Sequence, residues 1–363
     1  MDSRERTFLA LNFEEPDRVP IDLWMSTGFK KKITSAWGIS ESELLDRHDA
    51  DLRYIDGPAY VGPPLPKLAD GTDEDIWGVR RKQVVVPTPG GEEVYMEVAK
   101  SPLVSATTVE EINDYGGWPD PDWFDYSPIE SQCDTIRNDG RVVVFMGDRL
   151  NRLSQLKPGM YIRGMEQIYM DLKDALELAD AVFSNVRKFY REYSERIFDA
   201  ANGKLDLLLM GDDYGAQYSP LVSPQMWVDH LGDGFAEYIA IAKSNGVRVV
   251  HHTCGAVRPL IPLMIERGLD VLQSVQPEAQ DMAPGQLKAE FGDQLSFHGG
   301  ISIQQTMPFG SPDDVRNEVR EVIEALAPGG GYILCTSHNV QADTPVDNFR
   351  ALLDAHESYG SYA

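Results

Sequence analysis

The stretch GVRVVHHTCG (246–255) is a short β-branched run that ends in two histidines and a cysteine. Its near-continuous apolar character suits a strand buried on both faces, as in a parallel sheet. Seven other runs share the form: VPIDLW (19–24), ADLRYI (50–55), RVVVFMG (141–147), LDLLLMG (205–211), LDVLQSVQ (269–276), QLSFHGG (294–300) and GYILCTS (331–337). Helical stretches separate them. VSPQMWVDHLGDGFAEYIAIAKSNG starts with Ser223 as N-cap and Pro224 at the first helical position, and stops at Gly246. SPDDVRNEVREVIEALAPGGG repeats the device with Ser311 and Pro312, acids in the first turn and glycines behind it. Eight strand–helix units predict an α/β chain folded as a (β/α)8 TIM barrel, in one domain over 1–363. The long interval between the second and third runs holds VRRKQVVVPTPGGEEVYMEVAK (79–100), two strand-like runs around Pro-Gly-Gly. It predicts a β-hairpin inserted between barrel strands 2 and 3, roughly 77–100, placed to act as a lid.

Composition narrows the function. Lys and Arg number 33 against 58 Asp and Glu, a formal charge of −25, so there is no basic footprint for nucleic acid. An acidic surface also repels anionic membranes. No apolar run approaches the roughly 20 residues needed to span a bilayer, and the charged N-terminus lacks an apolar signal core, which predicts a cytoplasmic protein. Three widely spaced cysteines, Cys133, Cys254 and Cys335, do not read as a disulfide framework. There is no Walker A pattern and no GxSxG elbow, and Gly329-Gly330-Gly331 precedes a strand, so it is not a dinucleotide fingerprint.

In a barrel of this kind the chemistry sits at the C-terminal ends of the strands. Those ends carry Trp24, Asp148-Arg149, Asp212-Asp213-Tyr214, His251-His252-Thr253-Cys254, Gln276, His298, and Cys335 with His338 beyond it. His252 and Cys254, two apart on a strand, point to one face. Cys335 can converge on them from the eighth unit. One imidazole and two thiolates suit Zn²⁺ and leave a fourth position open, whereas thiolates exclude Mg²⁺ and Ca²⁺. The same three residues equally describe buried core positions. Cys133, ahead of a strand, reads as structural. Asp212 and Asp213 offer a ligand, an acid/base pair or a substrate anchor. His338 and His298 are candidate proton donors or substrate contacts. Arg149 and Arg163 are candidate carboxylate holders. Trp24, Tyr54 and Tyr214 are aromatic candidates for a pocket wall.

The chain resembles the uroporphyrinogen decarboxylase superfamily over nearly its whole length. The resemblance rests on RTFLALNFEEPDRVPID, SPQMWVDHLGDGFAEYI, HHTCGAVRPLIPLMIERGLDVLQSVQ, FHGGISIQQTM and PGGGYILCTSHNVQADTPVDNFRALLDA. The superfamily fold is a (β/α)8 barrel. Decarboxylases in it carry an arginine-rich segment after the first strand, where this chain has WMSTGFKKKI, and an Asn-Leu-Gly-His-Gly type motif after the last, where this chain has Cys335-Thr336-Ser337-His338-Asn339. The closer likeness is to its corrinoid-dependent methyltransferase branch, whose zinc motif has the form His-x-Cys…Cys. That likeness implies Zn²⁺ on His252, Cys254 and Cys335, while their places at the strand ends nominate Asp212, Asp213 and His338 as catalytic residues. The likeness also implies a corrinoid (cobalamin) supplied by a partner protein, and the strand-end positions offer Trp24, Tyr214, His298 and Arg149 as substrate contacts. The implied reaction moves a methyl group between a small methylated substrate and cobalt, with O-demethylation of a methoxylated aromatic as the favoured form. Methyl transfer from a methylcobamide to a thiol, and metal-free decarboxylation, are the alternatives.

Overall fold

A computed structural model describes residues 1–147 and 152–362. Among these the strands are β1 (Leu52–Tyr54), β2 (Ala59–Tyr60), β3 (Asp73–Glu74), β4 (Arg80–Thr88), β5 (Gly91–Lys100), β6 (Phe124–Asp125), β7 (Val142–Phe145), β8 (Leu207–Gly211), β9 (Arg248–His252), β10 (Val271–Val275), β11 (Ser296–Ile301) and β12 (Tyr332–Thr336). A curled parallel sheet of seven strands runs β1-β7-β8-β9-β10-β11-β12. Seven of the eight expected runs are therefore strands of one sheet, with helices between them as parallel crossovers require.

The run at 19–24 is not a regular strand. It touches both sheet edges through isolated contacts rather than a ladder. Leu334 N donates to Pro20 O and Asp22 N to Leu334 O on the β12 side, while Asp51 N donates to Ile21 O on the β1 side. Pro20 has no N–H to give, and Ile21 N is taken by the Asp51 carboxylate at 2.8 Å rather than by a backbone carbonyl. A side chain thus substitutes for one rung of the ladder.

The same device recurs at the N-terminal ends of the strands. Asp206 Oδ2 accepts Val143 N at 3.0 Å, and Asp270 Oδ2 accepts Val249 N at 2.8 Å. Each aspartate stands immediately before its own strand, in ADLRYI, LDLLLMG and LDVLQSVQ. Asp51 is fully buried and also pairs with Arg6 (2.6 Å) and Arg18 (2.8 Å). These acids tie neighbouring strands together at the end of the sheet away from the chemistry.

The sheet has two apolar faces. Its inner face forms a cluster of its own, with Leu52, Val142, Leu209, Val250, Ile333 and Cys335 meeting Trp24. Its outer face joins the larger core under the helices, including Leu176–Ala201. Ser311 caps Pro312–Leu326 in a full capping box with Asp314. The stretch from Ser223 is interrupted, giving Pro224–His230 and Gly232–Ser244 rather than one helix. Side chains draw off carbonyls at the break: Leu231 O accepts Gln155 Nε2 at 3.0 Å and Gly232 O accepts Arg267 Nε at 3.1 Å. No helix among the described residues is long and apolar enough to cross a membrane.

Residues 73–100 form a separate antiparallel sheet, β3-β4-β5, with Pro89-Gly90 as the two-residue turn between Thr88 and Gly91. Both ends of this hairpin are pinned. At the base, Asp75 accepts Trp77 N, Val79 N and Arg81 Nε within the sheet, and Tyr115 OH donates to Trp77 O at 3.0 Å from outside it. At the tip, buried Glu93 accepts Ser26 Oγ at 2.5 Å and Ala342 N at 2.7 Å. Ser26 opens the helix after the first run, and Ala342 lies in the loop after β12. The hairpin is therefore a strap held at both ends.

Candidate metal centre and active-site cleft

β9, β10 and β11 stand side by side, and their register places His252, Gln273 and His298 in one row. His252 Nδ1 pairs with Gln273 Oε1, which turns Nε2 the other way. That nitrogen lies 3.5 Å from Cys254 Sγ and 3.3 Å from Asp213 Oδ1. Cys254 comes two residues later, and Gly255 follows with φ +83, the left-handed turn that lets this loop pass against Gly215. His338, in the loop after β12, completes a group whose ligand atoms all lie within 4.8 Å of one another.

This set fits a zinc ion. Bonds of about 2.0–2.3 Å in a tetrahedron separate neighbouring ligand atoms by roughly 3.3–3.8 Å, the range in which His252 and Cys254 already stand. Donors of nitrogen and sulfur type suit Zn²⁺ and not the hard divalent cations. The electrostatics favour a cation too. Burial alone lowers the His252 pKa, yet Cys254 and Asp213 outweigh it and raise it to about 9. His338 is pushed down to about 3 by burial and by His252, so its imidazole is neutral.

Cys335 does not join this group. Its thiol packs with Val250, Ile333 and Trp24 inside the sheet and stands with Asp22 and His298, in a second buried group within 4.8 Å. Burial, then the Asp22 charge, holds that thiol well above the usual range. The Asp22 carboxylate accepts Tyr54 OH at 2.5 Å and lies 2.9 Å from His298 Nε2. Trp24 donates to Tyr54 OH at 2.7 Å and packs 5.8 Å from both the His252 and His298 rings. Trp24, Tyr54 and His298 thus form an internal polar knot rather than a pocket wall.

The two adjacent aspartates have different surroundings. Asp212 is 1% exposed and accepts Gln155 N (2.6 Å), Leu156 N (2.9 Å) and Lys157 N (2.6 Å), bracing the start of Leu156–Arg163. Tyr214 OH also donates to it at 3.2 Å, while the Tyr214 ring stacks on buried His251. Burial raises Asp212 to about 6. Asp213 instead faces His252, is bonded to Lys157 Nζ, and is held well below the usual range because His252 and Lys157 outweigh its burial. Arg163 is buried on Asp171 at 2.6 Å and braces Leu103 O and Ala106 O. Cys133 is buried and its thiol is pushed up to about 11, chiefly by burial. Arg149 lies outside the described residues.

A cleft of about 710 Å³ opens above this group. Asp213, His252 and His338 form part of its floor, and the strap contributes Arg81, Tyr95 and Met96. Lys157 and Tyr161 face it from Leu156–Arg163. Asp213, His252 and His338 were candidates from sequence, whereas Arg81, Tyr95, Met96, Lys157 and Tyr161 were not singled out as residues. Their only signal was the position of the hairpin, since KPGMYIRG (157–164) carries no motif.

The sequence pattern of the uroporphyrinogen decarboxylase (URO-D) family matches residues 83–359. The methylated-thiol–coenzyme M methyltransferase of Methanosarcina mazei is 24% identical over 238 residues, 61% of this chain and 60% of its own length. The uroporphyrinogen decarboxylase of Coxiella burnetii is 20% identical over 161 residues, 42% of this chain and 41% of its own length. The chain therefore spans less than two thirds of either relative. A solved methyltransferase from Methanosarcina mazei shares the fold over 99% of both chains, with a TM-score of 0.65 and 16% identity. With the family pattern covering most of the chain, the protein belongs to the uroporphyrinogen decarboxylase family.

Proposed function

We propose that this protein is a zinc-dependent methyltransferase that moves a methyl group between a small methylated substrate and the cobalt of a corrinoid protein, on a barrel of eight strand–helix units. The observation that carries the reading is the meeting of His252 Nε2 and Cys254 Sγ, 3.5 Å apart, with His252 on the floor of a roofed cleft. His252 and Cys254 are the two ligands on which motif and geometry agree. Bound there, zinc supplies Lewis acidity toward the heteroatom that carries the methyl group.

The chain's own residues do the rest. Gln273 holds the His252 ring with Nε2 toward the cleft. Asp213, shared between His252 and Lys157, sets the local charge and holds the Lys157 ammonium at the cleft, where it can give a leaving oxygen its proton. Tyr95, Tyr161 and Met96 present apolar surface that suits a methoxylated aromatic. In the demethylating direction the C–O bond breaks with its electron pair left on oxygen. Co(I) supplies the pair for the new Co–CH₃ bond, and the oxygen then takes a proton.

Thiol methylation by a methylcobamide is the second reading, favoured by the name of the Methanosarcina relative. Porphyrinogen decarboxylation is disfavoured by the lysines that replace the arginine-rich segment. Lys30 is paired with Glu41 at 2.6 Å, and Lys32 Nζ donates to Ala342 O and Thr344 O. Both of these are engaged, and the third, Lys31, stands exposed on the helix surface.

The test is zinc per chain, with the absorbance of a reduced corrinoid protein followed on adding a methoxylated aromatic or, separately, a methylated thiol. Stoichiometric zinc with methyl-cobalt formation from either donor supports the reading. Absence of both zinc and transfer, with a tetrapyrrole acid decarboxylated, overturns it.

A further inference from the structure

The proposed zinc reading leaves open which residue joins His252 and Cys254. The His-x-Cys…Cys pattern points to Cys335, but the structure groups different atoms. His338, from the loop beyond β12, stands with His252 and Cys254 inside a 4.8 Å group. Cys335 stands with Asp22 and His298 in the other one, packed against Trp24 and Ile333. We infer that His338 is the third protein ligand, so that the centre is built from two imidazoles and one thiolate, and that Cys335 is a core residue.

Three observations support the exchange. The His252 and His338 rings meet edge to face with centroids 5.4 Å apart, both on the cleft floor. Cys335 is 1% exposed, whereas Cys254 and His338 are both partly exposed, and His338 lines the cleft. Trp24 packs 5.8 Å from the His252 ring and shares a buried cluster with Cys335, whose thiol stands with Asp22 and His298 in the interior. His338 asks for less. Its Nδ1 accepts Asn339 N at 2.8 Å, a contact between adjacent residues that ligation would exchange.

The donor set decides the charge of the centre. Two neutral imidazoles and one thiolate leave a divalent ion with net charge +1, whereas one imidazole and two thiolates leave it neutral. A site of charge +1 better stabilises the negative charge that builds on a leaving oxygen. The inference therefore selects, within the proposed function, a methyl ether as donor and demethylation as the direction.

The experiment loads the full chain with Co²⁺ or Zn²⁺ and counts sulfur ligands, by thiolate-to-cobalt charge-transfer intensity and by X-ray absorption at the zinc edge. One sulfur is expected in the wild type. Cys335→Ser should keep the metal and the spectrum, and Cys254→Ser should lose the sulfur signal. His338→Ala should weaken zinc, measured by chelator competition, by more than the roughly 10–100-fold that loss of an orienting partner costs. His338→Cys should bring the count to two, a gain that no folding defect produces. Two sulfurs in the wild type, or loss of metal in a folded Cys335→Ser, overturns the inference and leaves the zinc reading standing. A wild type that binds neither metal overturns both.

Discussion

Glu93 offers a direct test of the strap. It is 3% exposed, and its Oε1 accepts Ser26 Oγ at 2.5 Å and Ala342 N at 2.7 Å, across the mouth from the strap's base. Each hydrogen bond to a charged group contributes about 1.5–3 kcal/mol. Both fall on one oxygen, so the lower figure is used twice, about 3 kcal/mol in all. At 1.36 kcal/mol per decade, Glu93→Ala should raise the population of the opened tip roughly 100-fold. Glu93→Gln keeps an acceptor and loses the charge, so about tenfold is expected. The assay is amide hydrogen exchange over residues 83–97, under conditions where exchange reports the opening equilibrium. The base, held by Asp75 and Arg81 at 2.6 Å, should keep its protection and serves as the internal control. If Glu93→Ala exchanges at the tip within about threefold of wild type, the latch reasoning fails.

Other perturbations probe the frame and the floor. Asp212→Ala strips the acceptor from three backbone N–H groups of Leu156–Arg163 and should cost about 3 kcal/mol in urea unfolding, while zinc content is retained; a cost below about 1 kcal/mol would remove its bracing role. Asp51→Ala leaves Arg6, Arg18 and Ile21 N without their shared carboxylate, and a loss of about 3–5 kcal/mol is expected; a near-neutral result would mean water replaces it. His356 is buried on Val19 O, and burial lowers its pKa to about 4. Its folded pKa lies below the unfolded value, so its contribution is intact above about pH 6.5 and is lost as pH falls toward 4, by about 3 kcal/mol. His356→Gln keeps a donor for Val19 O and should flatten that part of the stability–pH curve; an unchanged curve would assign the acid sensitivity elsewhere.

Much of the architecture was legible from local pattern. Seven of the eight β-branched runs are parallel strands because apolar continuity depends only on which side chains meet sheet or helix, and that is written residue by residue. Ser311-Pro312 and Pro89-Gly90 could be read for the same reason, since caps and tight turns are settled within a few residues. The break at Leu231 could not. It depends on Gln155 and Arg267, which arrive from far along the chain. The irregular run at 19–24 likewise depends on Asp51 reaching a backbone N–H from the next strand.

The floor of the cleft divides along the same line. His252 and Cys254 could be paired from sequence because they stand two apart at the end of one run, although Cys254 lies just past β9, in the loop that Gly255 turns. Which residue from the eighth unit joins them was not so determined. Cys335 and His338 lie three positions apart, and only the packing of Trp24, Asp22 and His298 puts one in the interior and the other at the mouth. Asp212 and Asp213 are identical as residues, yet one faces a helix start and the other a histidine and a lysine. Alternation and capping are properties of the chain next to itself. Depth in the sheet, and the partner a side chain meets there, exist only once distant segments have packed.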